Sequence, residues 1–178
     1  MKFGIVIGSW GSYNACNSRA LGSNWLDLAN FEEWEEIEEE LKKQGFKLDG
    51  IDEELFIQDC DFDFGFDCDY MHPKTLFNIL KNSGLLYYDF MIEKAEAFCE
   101  AFGWAEFESL VEQFGDCWED DVTFYNGYDW EALGRELFDE YGYILPYDLK
   151  KYFDFEAFGE SFSYEGYVEV TNGIIFKY

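Results

Sequence analysis

The chain has 178 residues, of which 39 are Asp or Glu and 12 are Lys or Arg, giving a formal net charge of −27. That length allows one sizeable core or two or three small ones, and 48% hydrophobic with 22% aromatic residues excludes a disordered chain. A nucleic-acid ligand is excluded as a default because no basic patch is present to meet phosphates, and no apolar run approaches the ~18 residues of a membrane span.

Residues 3–9, FGIVIGS, are predicted as a buried strand rich in β-branched side chains. The short apolar N-terminus reads as this strand and not as a signal peptide. A loop carrying Tyr13, Asn14 and Asn17 follows, then a second strand over 24–28. Asn30 is predicted to open a helix, with Glu33 three positions on as a capping box requires. Phe31, Trp34, Ile37 and Leu41 recur at helical spacing, and Glu32, Glu35, Glu36, Glu39 and Glu40 take the opposite face. Lys42 and Lys43 fall in the last turn, where the helix dipole favours cations, and Gly45 ends the helix. Residues 54–58 make a third strand.

Residues 75–115 read as helical throughout. A helix opens near Pro73 and stops near Gly84, and Asp89 is expected to cap the next, with Phe90, Phe98 and Phe102 inward. After Gly103, Trp104, Phe107, Leu110, Val111 and Phe114 form one apolar stripe, most simply a helix-bundle core. Val122–Tyr125 is strand-like, and Asp129 can cap a helix with Trp130, Leu133, Leu137 and Tyr141 inward. Short helices follow Pro146 and Asp154, and Asn172-Gly173 marks a hairpin between two last strands. The expected fold class is α+β, an elongated chain of three small domains: an α/β unit over 1–75, a helical unit over 76–115 and an α/β unit over 116–178.

The stretch QDCDFDFGFDCDY, Gln58 to Tyr70, holds Asp59, Asp61, Asp63, Asp67 and Asp69 interleaved with Phe62, Phe64 and Phe66. Asp59, Asp61 and Asp63 match the first three ligands of a calcium loop, but Phe64 stands where that loop needs Gly and Tyr70 where it needs Glu. Zinc lacks its paired Cys spacing. Cys16, Cys60, Cys68, Cys99 and Cys117 are odd in number and are read as thiols in a reducing cytoplasm. A catalytic triad or Cys–His pair would have to use His72, the one histidine, beside Pro73 in a turn. Carboxylate pairs for glycoside hydrolysis are too many to single any out. No cofactor motif is present, and the chain is read as not an enzyme. Alternation places the phenylalanines on one face and the aspartates on the other.

The acid is no tail. Residues 1–75, 76–115 and 116–178 carry −11, −5 and −11, from 6, 2 and 4 basic against 17, 7 and 15 acidic residues. Self-repulsion on that scale costs stability, so a basic protein partner is favoured. Salt adaptation also makes acidic surfaces but does not call for 20 Phe, 13 Tyr and 6 Trp. Besides the carboxylates already named, Glu106, Glu108, Glu112, Glu119, Asp120 and Asp121 complete the candidate target-binding surface. Carboxylates arrayed over a rigid aromatic core can stand in for the phosphates of DNA.

In the last third, LPYDLKKYFDFEAFGESF resembles the antirestriction motif of the ArdA proteins, with Leu145, Pro146, Leu149, Tyr152, Asp154, Phe155, Glu156, Ala157 and Phe158 in its positions. Where that family continues Arg-Asp, this chain has Glu160-Ser161. Tyr13, Asn14, Gly22 and Trp25, the Gln58-Asp59 step and the terminal NGIIFKY are also similar, so the resemblance covers nearly the whole chain. It implies a curved homodimer that mimics B-form DNA. Such a dimer occupies the DNA groove of a type I restriction–modification enzyme, at its methyltransferase core, and protects incoming mobile DNA in a bacterial cytoplasm. Two chains carry about 54 negative charges, equivalent to roughly 90 Å of duplex at one charge per ~1.7 Å. The alternative is a general acidic protein that sequesters other basic nucleic-acid-binding proteins. The density of large apolar side chains in Leu145–Phe162 is expected to serve a core or the dimer interface.

Overall fold

β1 (Gly4–Ser9) is the middle strand of a three-stranded antiparallel sheet, between β2 (Leu26–Asp27) and β3 (Leu55–Cys60). The computed structural model describes residues 3–68 and 70–178. Every residue of β1 is buried, which is why Ile5, Val6 and Ile7 follow one another without polar alternation. Ile5 lies opposite Leu26 on one side and Cys60 on the other, and a bulge between Val6 and Ile7 shifts the register with β3. The chain leaves β1 through α1 (Trp10–Asn14), a short helix in place of the expected loop. Its N-cap Ser9 accepts a hydrogen bond from the Ser12 amide at 3.3 Å.

α2 (Trp34–Lys43) begins one turn later than the sequence suggests. Leu28 is buried and its N–H pairs with the carbonyl of Phe3 at 2.9 Å, so it belongs to the sheet edge. A 3-10 turn over Leu28–Asn30, capped by Asp27, then uses up Asn30. The capping box is formed by Glu33 and Glu36, not by Asn30 and Glu33. Trp34, Ile37 and Leu41 face the core as expected.

The central helices are α3 (Pro73–Asn82), α4 (Ile92–Phe102) and α5 (Trp104–Phe114). His72 caps α3, its Nδ1 accepting from the Lys74 amide at 3.1 Å, and Pro73 takes the first helical position, where an N–H is not needed. Between α3 and α4 the chain is not helical throughout. Asp89 starts a 3-10 turn (Asp89–Met91) instead of capping α4, and the three-residue period of that turn brings Met91 inward. Phe90 therefore points out, 69% exposed. Phe114 and Tyr141, also expected inward, are exposed where their helices leave the core. Trp118, in the 3-10 segment Gly115–Asp121, is fully buried against Phe98 and Phe107, and its indole N–H donates to the carbonyl of Ser83 at 3.0 Å.

A second antiparallel sheet orders β4 (Val122–Asn126), β6 (Gly173–Lys177) and β5 (Val168–Val170), with β5 and β6 joined by the Thr171-Asn172 turn that the Asn-Gly step predicts. α6 (Trp130–Glu140), α7 (Tyr147–Lys150) and α8 (Phe155–Glu160) lie between β4 and β5 in sequence. Asp129 caps α6 by accepting from the Ala132 amide at 2.8 Å, and Asp154 caps α8 by accepting from the Ala157 amide at 3.0 Å. The class is α+β, as expected, with two small antiparallel sheets and eight α-helices among the described residues. One apolar cluster runs from Phe3 and Ile5 through Trp34, Phe64, Phe98 and Trp118 to Val122 and Ile175, so the first unit, the central helices and the second sheet share it. A smaller cluster of Leu133, Leu137, Phe162 and Ile174 lies between α6 and the second sheet. No helix among the described residues is long and apolar enough to cross a membrane.

Candidate functional site

The aspartate–phenylalanine stretch behaves as its alternation suggests, although the strand stops at Cys60. Asp59, Asp61, Asp63 and Asp67 are exposed, Phe64 is buried, and Phe62 and Phe66 are half-buried; Asp69 lies outside the described residues. Phe62 meets Phe3, just before β1, edge-on at 5.2 Å, and Phe66 lies 5.2 Å from Trp104 of α5. The loop is thus strapped to both the first sheet and the central helices. Its carboxylates also shape its backbone. Asp61 accepts from the Gly4 amide at 2.6 Å, Asp63 from the Gly65 amide at 2.7 Å and Asp59 from the Cys60 amide at 2.9 Å. Among the described residues no three His, Cys, Asp or Glu side chains gather as a metal site. The sulfurs of Cys60 and Cys68 lie 3.6 Å apart without a disulfide.

Glu32, just before α2, and Glu35, Glu36 and Glu39 on it are exposed, and Glu40 is half-buried. Two of them have structural duties. Glu36 accepts from the Glu33 amide at 3.5 Å in the capping box and from the Glu32 amide at 2.7 Å. Glu40 is held below the usual carboxylate range by hydrogen bonds from Gln44 and Lys43. On α5, Glu106 and Glu112 are exposed and Glu108 is half-buried, with Glu106 paired to Lys177 of β6. In the following 3-10 segment Asp120 is exposed, while Glu119 and Asp121 are half-buried and Glu119 lies 4.0 Å from Lys94. Glu40, Glu106 and Glu119 are therefore partly neutralised within the chain. Glu35, Glu39, Glu112 and Asp120 are exposed and make no ion pair among the described residues.

The acid surface extends beyond the residues singled out in the sequence. Glu93, Glu96 and Glu100 on α4 are exposed, and their spacing puts them on one helix face. With Asp63 and Asn172, Glu96 and Glu100 line an open cleft of about 300 Å3 between the loop, α4 and the β5–β6 turn. Burial and the neighbouring Glu93 carboxylate push the Glu96 carboxyl up. Glu100 accepts from both the amide and the hydroxyl of Thr171 at 2.9 Å, and Glu93 from Asn126 at 2.8 Å, so this face also ties α4 to the second sheet. Glu131, Glu136, Asp139 and Glu140 add an exposed row on α6. The helical spacing of both sets was readable in the sequence.

One acid is of another kind. Asp52 is 1% exposed and accepts from the Ser12 hydroxyl and from the Lys47 amide at 2.8 Å. Burial pushes its carboxyl up, but the hydrogen bonds from Lys47, Ser12 and Ser9 outweigh burial and hold it below its ordinary value. It joins α1 to the 47–52 loop and is not part of the outer surface.

The motif-like stretch divides in two. Phe155 and Phe162 are buried and Phe158 is half-buried, while the neighbouring Asp154, Glu156 and Ala157 are exposed. α8 crosses α6 where Gly134 and Gly159 meet. The first half is open. Leu145 is half-buried, Pro146 and Leu149 are exposed, and Tyr152 is 76% exposed, with Ile144 and Tyr147 beside them at 91% and 92%. Tyr152 thus does not fill a core of the single chain. Next to this apolar face, Arg135, Lys150 and Lys151 line a cleft of about 320 Å3 with Tyr147, Asp148 and Phe153. It is a concentration of cations on a chain of charge −27. Arg135 bonds to Glu131 at 2.6 Å and stacks on Phe155 at 4.2 Å, and Lys150 lies 3.5 Å from Asp139.

None of the curated proteins compared matches this sequence. The family model described as antirestriction protein (ArdA) matches residues 5–176, from the first strand to the last and including the Leu145–Phe162 stretch. The chain belongs to the ArdA antirestriction protein family.

Proposed function

We propose that this antirestriction protein acts as a DNA mimic that occupies the DNA-binding groove of type I restriction–modification enzymes. The observation that carries the reading is the placement of the acid. Exposed carboxylates stand on α2, the 59–67 stretch, α4, α5 and α6, outside a core of aliphatic side chains and aromatic rings packed mostly edge-on or tilted. A groove lined by Lys and Arg to hold phosphates meets a surface of the same sign as its natural ligand. The first unit (1–75), the central helices (76–115) and the last unit (116–178) would present that surface as consecutive segments of one inhibitor.

In this reading the working form is a homodimer joined through Leu145–Tyr152. Support comes from the exposed Ile144, Tyr147, Leu149 and Tyr152, which form an apolar face of the kind that marks subunit interfaces. The adjoining Arg135, Lys150 and Lys151, offset by Glu131, Asp139 and Asp148, make this part of the surface less negative than the rest, which eases the approach of two acidic chains. No chemical step is assigned to the protein: it acts by occupancy.

The test is cleavage and methylation of unmodified DNA by a purified type I enzyme with increasing inhibitor. Both activities should fall together, because both need DNA in the same groove. Equal binding to unrelated basic DNA-binding proteins, with no preference for the type I enzyme, would favour the general acidic sink instead.

A further inference from the structure

An open cleft of about 470 Å3 lies where the loop before β2 meets β1 and β3. Trp25, Gln58 and Asp59 line it with Val6 and Asn24. Three features set it apart from the rest of the acidic surface. Trp25 is 44% exposed, leaving an indole face in reach of a ligand. Asp59 is exposed, and among the described residues no ion pair neutralises it. The Oε1 atom of Gln58 is buried and has no hydrogen-bond partner among the described residues. Gly8 and Gly22 leave the room that this amide occupies: a Cβ on either would come within 2.8 or 2.6 Å of the orphaned oxygen. Folding therefore brings together an exposed indole and an unneutralised carboxylate without supplying a cation, beside an amide whose oxygen is enclosed by the chain itself.

That set asks for a planar cation rich in N–H groups. A guanidinium stacks on an indole and forms two parallel hydrogen bonds to a carboxylate. An ammonium ion is a compact, strongly hydrated charge that does neither as well. The chain's own Arg19, in the same loop, donates instead to the carbonyls of Gln44 at 2.8 Å and Ser18 at 3.1 Å. We propose that this cleft receives an arginine side chain of the target protein. The inference rests on the reading above that the partner is a DNA-binding protein, in which arginine commonly makes the bidentate base contact. The mimic would then hold a base-reading arginine as well as phosphate-binding cations. Trp25 and Asp59 would stand out as a hot spot on a surface whose other charges act diffusely.

Two measurements test it. In the first, acetyl-argininamide and acetyl-lysinamide are titrated into the full chain and the indole N–H resonances are followed by NMR. The Trp25 signal should move with the arginine probe and not with the lysine probe, and the shift should vanish in Asp59→Asn, which keeps the acceptor for the Cys60 amide. Equal shifts with both probes, or a shift unchanged in Asp59→Asn, would overturn the proposal. In the second, Trp25→Ala and Asp59→Asn should each weaken binding to a type I methyltransferase about tenfold or more. Glu53→Gln, which also removes one exposed charge, should change it less than about threefold. A parent chain that binds the arginine probe but inhibits no type I enzyme sinks the DNA-mimic reading and leaves the cleft standing. A parent chain that inhibits, with Trp25→Ala and Asp59→Asn behaving like Glu53→Gln, sinks the cleft alone.

Discussion

Gly134 of α6 and Gly159 of α8 meet backbone to backbone. A Cβ built on Gly134 would lie 2.9 Å from the amide nitrogen of Gly159 and overlap the carbonyl oxygen of Phe155. One on Gly159 would lie 3.0 Å from the amide nitrogen of Gly134 and overlap the carbonyl oxygen of Trp130. The obstacles are main-chain atoms, which cannot rotate away. Gly134→Ala and Gly159→Ala should each destabilise the chain by about 3 kcal/mol or more, at the upper end of what overpacking costs. Urea denaturation measures this, and a loss below about 1 kcal/mol would mean that the two helices separate more easily than this crossing implies.

Asp52 should prove more important for folding than any exposed acid. Asp52→Ala leaves the Ser12 hydroxyl and the Lys47 amide without their acceptor in a buried site. The expected loss is about 2–3 kcal/mol. Neutralising one exposed carboxylate such as Glu39 should change stability by at most ~1 kcal/mol. Parallel denaturation curves separate the two cases.

His72 gives the fold a pH dependence whose sign is fixed. Burial, then the Lys74 charge, holds its pKa below the ordinary 6.5. The neutral ring is the form that accepts the Lys74 amide as the cap of α3. The unfolded chain therefore binds the proton more readily. The stabilising contribution is complete above about pH 6.5 and is lost as the pH falls through the folded value. Melting temperatures of the parent and of His72→Ser, which keeps a capping oxygen but no titrating ring, should converge or cross as the pH is lowered. A parent-to-variant difference constant from about pH 7.5 to pH 5 would remove His72 from this role.

Tyr152→Glu and Tyr147→Glu should shift the protein toward monomer with little loss of monomer stability, since both rings are exposed on the single chain. Phe155→Ala should instead destabilise by about 3–5 kcal/mol, as truncation of a buried ring does. Light scattering alongside thermal melting distinguishes them. Tyr variants that remain dimeric would show that the face around α7 is not the dimer interface.

How much of this was legible in the sequence follows from what each segment is asked to do. β1, α2, α5 and α6 have periodic patterns that burial enforces, and they stand within a few residues of where the pattern put them. The Asn172-Gly173 turn carries its own local signal. The failures lie at 3-10 turns. At Asn30 and Asp89 a plausible cap residue was taken into a short turn because Leu28 and Met91 had to reach the core first. The acidic surface was readable as composition and helical spacing, but the internal pairing of Glu106 with Lys177 spans 71 positions and had no local sign. The two roles within Leu145–Phe162 were hidden for a similar reason. Which aromatic rings are covered depends on α6, and the contact is made by two glycines, residues that apolar patterning ignores.

If carboxylates replace phosphates, the charge should act as a sum. Single changes such as Glu39→Gln or Glu112→Gln should weaken target binding little, because an exposed pair is worth ~0–1 kcal/mol. Losses should accumulate as substitutions are combined. Binding should also weaken as salt is raised, with a slope shallower than that of DNA because a folded acidic surface condenses fewer counterions. A single exposed carboxylate on α2, α4 or α5 that abolished inhibition in a folded variant would point to a discrete site in place of a surface.

The most direct measurement is competition at equilibrium between this protein and a DNA duplex bearing the recognition sequence for a purified type I methyltransferase, followed by fluorescence anisotropy of the labelled duplex. The account predicts that DNA is displaced fully, that its apparent Kd rises in proportion to inhibitor concentration, and that no ternary complex forms. Inhibition of cleavage with the duplex still bound at unchanged affinity would contradict it.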